Sequence, residues 1–259
     1  MTRLTGARIA RQLPALIGPF VVLALGWELA AGVILDPRFF PPPSVTLPLA
    51  AELYLDGDLL THAAASVRRI VLATAIGASA GIAVGVVAGW SHRARLLVNP
   101  HLAVLYPLPK IALLPVMFAL FGLTETVRVL TMALAVFLLV AINTTGGVRS
   151  ISDVHVEAAL DNGAGTLDLY REVILPGARP QIFSSISMGL SVGFALLVVI
   201  EMLAAESGLG YIIWNSWQLF TIPRMYVAVF SINVLGVFFV HGTEILGDVL
   251  TPWEGTYKQ

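Results

Sequence analysis

Four stretches of this chain, Ile70–Ser91, Val129–Val148, Pro180–Ile200 and Met225–Thr243, contain no Asp, Glu, Lys or Arg. Each has about the 20 residues that carry a helix across the hydrocarbon core of a bilayer. A soluble fold would have to bury all four inside a polar shell, and the chain cannot supply one. Of its 259 residues, 57% are hydrophobic and 12% charged, against roughly 25% charged in a soluble domain. Two further runs are interrupted: Leu13–Leu35 contains Glu28, and Val98–Phe121 contains Lys110. Leu13–Leu35 follows Arg3, Arg8 and Arg11, but it exceeds the roughly 7–15 apolar residues of a secretory signal, so an uncleaved first span is expected. The reading is an all-α integral membrane protein of about six transmembrane helices.

Lys and Arg concentrate on cytoplasmic helix ends. With both termini cytoplasmic, nine of the 15 lie inside (Arg3, Arg8, Arg11, Arg93, Arg95, Arg149, Arg171, Arg179, Lys258). Five lie outside (Arg38, Arg68, Arg69, Arg128, Arg224), and Lys110 falls within the membrane. This puts residues 150–179 in the cytoplasm and residues 36–67 and 205–224 outside. The expected location is the cell membrane. A net charge of −1 gives no basic face for nucleic acid. Without cysteine there is no disulfide or thiolate chemistry, and the five histidines show no helical pairing that would hold a metal. No G-x-x-x-x-G-K-[ST] is present, and neither lysine follows a glycine, so no nucleotide is expected on this chain by that motif.

Within the spans, Gly77, Gly81, Gly85 and Gly89 recur every fourth residue. Such a stripe lets two membrane helices approach backbone to backbone; lining a pore is the alternative. Gly189 and Gly193 repeat the device. Gly77–Gly81 also fits the G-x-S-x-G pattern of hydrolases, but mid-helix and without Ser–His partners it carries no catalysis. The third span holds Pro107, Pro109 and Pro115 around Lys110. Prolines free carbonyls that lipid cannot satisfy, so this stretch is expected in protein or against a wet cavity. Lys110 either bonds those carbonyls or lines a translocation path. Ser184, Ser187 and Ser191 share a face of the fifth span, which makes Ser187 and Ser191 path candidates. Glu201 is expected to pair with Arg128, and His241 and Glu244 to face a helix partner. Trp214 and Trp217 suit an interfacial belt.

Between the fourth and fifth spans, Glu157–Pro176 reads as two short amphipathic helices. Asn162-Gly163 supplies a turn with a residue free to take positive φ, and Gly165 or Thr166 caps the second helix. Leu167, Tyr170 and Ile174 form an apolar face, and Pro176 ends it. A helix that enters a groove in another protein and one that lies on the membrane both fit.

The spacing Glu157-Ala158-Ala159, then Gly163, then Leu175-Pro176 resembles the EAA loop of permeases from ATP-binding-cassette (ABC) importers. Pro107–Pro115, Phe121-Gly122 with Glu125, Gly208-Leu209-Gly210 and Leu250–Trp253 are similar to the nitrate, sulfonate and taurine subfamily. Leu167 stands where many relatives carry Trp. The resemblance implies a type I importer permease fold. Residues 1–63 would hold the tail, first span and external segment; residues 64–259 would form the core, with the loop at 152–179. It also implies a coupling set: Glu157, Ala158, Ala159, Gly163, Ala164, Leu175 and Pro176. The implied partners are two cytoplasmic ATPases that bind ATP and magnesium, a second copy of the permease and an external substrate-binding protein. A secondary transporter or channel would need no such loop, and a membrane hydrolase lacks its residues.

Overall fold

The computed structural model describes residues 18, 19 and 21–252. The chain runs through α1 (Val21–Ala30), α2 (Pro43–Leu55), α3 (Asp58–Trp90), α4 (His92–Leu105) and a 3-10 turn (Lys110–Leu113). It continues through α5 (Leu114–Phe121), α6 (Glu125–Arg149), α7 (Asp153–Asp161) and α8 (Thr166–Asp168). A wide π turn (Leu169–Ile174) leads into α9 (Leu175–Ala204), then α10 (Leu209–Gln218) and α11 (Ile222–Leu250). Among the described residues, four helices are long and apolar enough to cross a membrane, or five if α4 and α5 are one broken span. The charge-free windows coincide with these helices, and α6, α9 and α11 run on past them at both ends, whereas α3 stops at Trp90, one residue short of its window's end.

The centre is the contact of α3 with α6. The glycine stripe of α3 lies against α6 residues that also recur every fourth position: Val136, Val140, Thr144 and Val148. A Cβ added at Gly81 would sit 2.8 Å from Val140 Cβ, at Gly85 2.6 Å from Thr144 Cβ, and at Gly89 2.5 Å from Val148 Cβ. Rows at i±4 on one helix thus mesh with i±4 rows on the other. Thr145 Oγ1 donates to the Gly85 carbonyl across this contact at 3.3 Å. Helix α9 joins through Gly189, which faces Val136, and Gly193, which faces Ile70. Ile70, Met132, Leu197, Ile200, Leu209 and Ile212 fill the space where α3, α6, α9 and α10 meet. Helix α11 closes on α9 at Gly247, which faces Phe183.

The third expected span is not one helix. Its two halves, His92–Leu105 and Lys110–Phe121, meet at 85°. Pro107 and Pro109 remove two N–H donors in three residues, and the chain turns instead of continuing. The first expected span, Leu13–Leu35, begins outside the described residues. Its described part, α1, is held from two sides. Glu28 accepts from the Ser44 N–H (3.0 Å) and hydroxyl (2.6 Å) in the first turn of α2. Trp27 stacks on Phe230 at 5.0 Å and on Tyr226 at 6.1 Å. The carboxylate that interrupted the apolar run is therefore the cap of the next helix.

Candidate functional site

The segment after α6 is largely exposed. Helix α7 ends at Asn162-Gly163, where the Gly163 N–H bonds the Leu160 carbonyl (2.8 Å) and the Ala164 N–H bonds the Ala159 carbonyl (3.0 Å). This is a Schellman closure, and it sets Gly163 at φ +84° with open space around it. Conformation, not crowding, demands glycine there. The Gly165 N–H is taken by the Asp168 carboxylate at 3.0 Å, so Gly165 is the cap of α8. Glu157, Ala158 and Gly163 lie on the exposed side, together with the large apolar residues Val154, Leu160 and Leu167. The opposite side is anchored. Leu169 and Ile174 are buried with Val86, Val148 and Ala178, and Ala159, Ala164 and Leu175 pack against them. Tyr170 meets Trp90 at 5.8 Å. A push on the exposed side therefore reaches the ends of α3, α6 and α9 through packed side chains.

Two expectations for this segment change. Leu167, Tyr170 and Ile174 do not form one buried face, because Leu167 is exposed and Leu169 is buried in its stead. The π turn at Leu169–Ile174 shifts the helical phase by a residue. Pro176 does not end the helix either. It stands in the first turn of α9, where a missing N–H is tolerated, and the helix runs on to Ala204.

Ser187 and Ser191 face a groove between α9 and α11. A cavity of about 570 Å³ there is lined by Ser191, Asn233 and His241 among apolar residues, and one of about 290 Å³ continues from Ser191 past Ser187 to Glu244. The Ser191 hydroxyl donates to the Ser187 carbonyl at 3.0 Å. His241 and Glu244 pair with each other at 2.8 Å and are exposed, so no helix among the described residues covers them. Lys110 lines neither cavity. Its ammonium donates to the Tyr106 carbonyl and lies 5.1 Å over the Tyr106 ring. It thus satisfies a carbonyl at the helix break. The structure brings the two serines together and leaves Lys110 apart.

The strongest polar cluster went unread in the sequence. Glu201 pairs not with Arg128 but with Arg69, at 2.7 Å. Arg69 also bonds Glu125 through Nε (2.9 Å) and Nη2 (2.5 Å), and Ser207 through its carbonyl (2.6 Å) and hydroxyl (2.9 Å). All five guanidinium donors are used. Glu201, fully buried, further accepts from the Ser66 hydroxyl and the Gly210 N–H, both at 2.9 Å. Arg128 pairs with Glu125 at 3.0 Å, one helical turn away. Gly208, at φ +116°, lies so close to the Glu201 carboxylate that any Cβ would strike it. The cluster ties α3, α6, α9 and α10 together. A signal existed: stepping back by four from Gly77 along the stripe reaches Ala73 and Arg69, which puts Arg69 on the packed face. Among the described residues, no group of three or more His, Asp or Glu side chains is placed to hold a metal ion.

Residues 81–253 match the family described as "Binding-protein-dependent transport system inner membrane component". The chain is 33% identical over 253 residues to the taurine transport system permease protein TauC of Escherichia coli K12, covering 95% of this chain and 92% of that one. It is 30% identical to the putative aliphatic sulfonates transport permease protein SsuC of Bacillus subtilis 168, covering 94% and 88%. In fold it is similar to a chain of the MetNI methionine ABC transporter in an inward-facing conformation. That match has a TM-score of 0.62 and 19% identity, and covers 75% of this chain and 95% of that one.

Proposed function

The chain belongs to the binding-protein-dependent transport system inner membrane component family, and from that premise we propose that it carries a sulfonate-type organic anion, with taurine as the first candidate. As a member of that family it is a non-catalytic, multi-pass permease subunit of an ABC importer. The observation that carries the substrate class is the identity of 33% over 95% of the chain with a permease named for taurine, joined by a second relative named for aliphatic sulfonates. Nitrate is the inorganic alternative.

In this reading the loop Glu157–Pro176 is the handle for a cytoplasmic ATPase. Its exposed side presents Leu160, Gly163 and Leu167, and its anchored side reaches three long helices. Two ATPases bind ATP and magnesium, a second copy of this chain completes the pore, and an external binding protein delivers the solute. Both termini are cytoplasmic. Ser187 and Ser191 line the path, and Lys110 stabilises the helix break between α4 and α5. The test is uptake into proteoliposomes holding the whole importer, across taurine, ethanesulfonate, nitrate and an uncharged amino acid amide. The reading expects ATP-dependent uptake of the sulfonates. Uptake of the amide alone would refute the anion assignment.

A further inference from the structure

We propose that the groove between α9 and α11 is water-filled and holds the oxyanion head of the transported solute between Ser191 and Asn233, halfway across the membrane. This rests on the importer reading and adds a binding residue, Asn233, to it.

Depth comes first. Asn233 lies 11 residues (233 − 222) into α11 from Ile222, about 16 Å at 1.5 Å per residue. Ser191 lies 13 residues (204 − 191) from the outer end of α9 at Ala204, about 20 Å by the same rise. In a hydrocarbon core of about 30 Å, both are near the midplane. Both line the cavity of about 570 Å³.

At that depth an exposed amide is costly unless it meets protein or water. One Asn233 N–H bonds the Val229 carbonyl of its own helix at 2.7 Å. Its Oδ1 and second N–H have no partner among the described residues. The polar lining continues inward through Ser187 and Ser184 to the His241–Glu244 pair. This stripe of polar side chains, set among apolar ones, gives water hydrogen-bonding partners from the midplane to the inner helix end. Gly236 adds no side chain to the groove, and a Cβ there would make ordinary contact with the Phe194 ring at 3.8 Å. The outer end is bounded by Ile213 of α10, and α10 is held by the Gly210–Glu201 bond.

Polarity selects the ligand. At the level of Ser191 and Asn233 the lining offers the free N–H of Asn233, the Ser191 hydroxyl once it turns from the Ser187 carbonyl, and no carboxylate; Glu244 and Asp248 lie farther in, and Glu244 is occupied by His241. Donors without a competing negative charge match an anion such as a sulfonate, whose oxygens accept hydrogen bonds.

The chain contains no cysteine, so an introduced cysteine is the single thiol of this subunit, and labelling is read on the isolated subunit band. In membranes holding the whole importer, Asn233→Cys and Ser191→Cys are treated with methanethiosulfonate ethylsulfonate, a water-soluble anionic thiol reagent. The comparison positions are Val234→Cys and Phe238→Cys, whose native side chains are exposed and apolar. Thiols react as thiolates, which need water, so the groove positions should react roughly tenfold faster or more. Taurine should slow the Asn233→Cys reaction. Equal rates at all four positions would mean that lipid or a second copy's helix fills the groove, which overturns the proposal. Fast labelling without taurine protection overturns the solute half of it. Asn233→Leu should cut taurine uptake severalfold while co-purification with the ATPase is unchanged; unaltered uptake would contradict the binding role. The two readings fail separately. A wild-type importer that moves no sulfonate defeats the assigned function, whereas an active one with unreactive Asn233→Cys defeats only the groove.

Discussion

Replacing Arg69 by Met should be among the most damaging single changes in the protein. Arg69 is 4% exposed, and it neutralises Glu201, which is 0% exposed. After the substitution Glu201 keeps its bonds from Ser66 and the Gly210 N–H but loses its counter-charge. Removing one member of a buried pair costs about 3–5 kcal/mol. Glu125 is 53% exposed and retains Arg128, so its share is that of a surface pair, at most about 1 kcal/mol. For a chain of this size each kcal/mol moves the unfolding midpoint by roughly 2–4 °C. Arg69→Met should therefore lower the melting temperature of the detergent-purified protein by roughly 6–20 °C. Glu125→Gln should lower it by no more than about 4 °C. Tryptophan fluorescence during heating measures both. The double variant Arg69→Met with Glu201→Gln should lose less than the sum of the two single losses, because neither charge is then stranded. A loss from Arg69→Met no larger than that from Glu125→Gln, or strict additivity in the double variant, would refute the account of the cluster.

Gly81→Ala should already hinder the α3–α6 contact, because the new Cβ would lie 2.8 Å from Val140 Cβ; monodisperse protein yield checks it, and Gly81→Leu should abolish assembly. Gly163→Ala forces a side chain into the left-handed region, at a cost of about 1 kcal/mol. It should weaken ATPase co-purification modestly, whereas Gly163→Asp, which adds a charge at the exposed turn, should weaken it strongly. Lys110→Met should lower uptake and expression together, because Lys110 bonds the Tyr106 carbonyl at the helix break and lines neither cavity; a loss of uptake well beyond that of expression would place it on the path.

The parts legible in the sequence were those governed by local rules. Long apolar windows set where the helices are, because a bilayer admits little else. The turn at Asn162-Gly163 could be read from residue chemistry alone, and the glycine stripe announced a close helix contact through its spacing of four. What stayed hidden depended on distant partners. Whether Glu201 meets Arg128 or Arg69 depends on how α3 rotates against α9, and that follows from packing at Ile70, Gly193 and Leu197. The prolines at 107 and 109 signalled a break, but not the 85° angle. The π turn moved Leu167 out and Leu169 in, a one-residue phase change that no periodicity count detects. Glu28 looked like a flaw in an apolar run and is the cap of α2.

We propose that ATP hydrolysis in a partner moves this chain through the loop ending at Pro176. ATP-driven taurine accumulation is measured in proteoliposomes containing the wild-type importer or the Gly163→Asp variant, with ATPase activity recorded in parallel. The account predicts binding-protein-dependent uptake in the wild type, and in the variant a loss of uptake and of binding-protein-stimulated hydrolysis with the permease still folded. Undiminished uptake by the Gly163→Asp variant would contradict it.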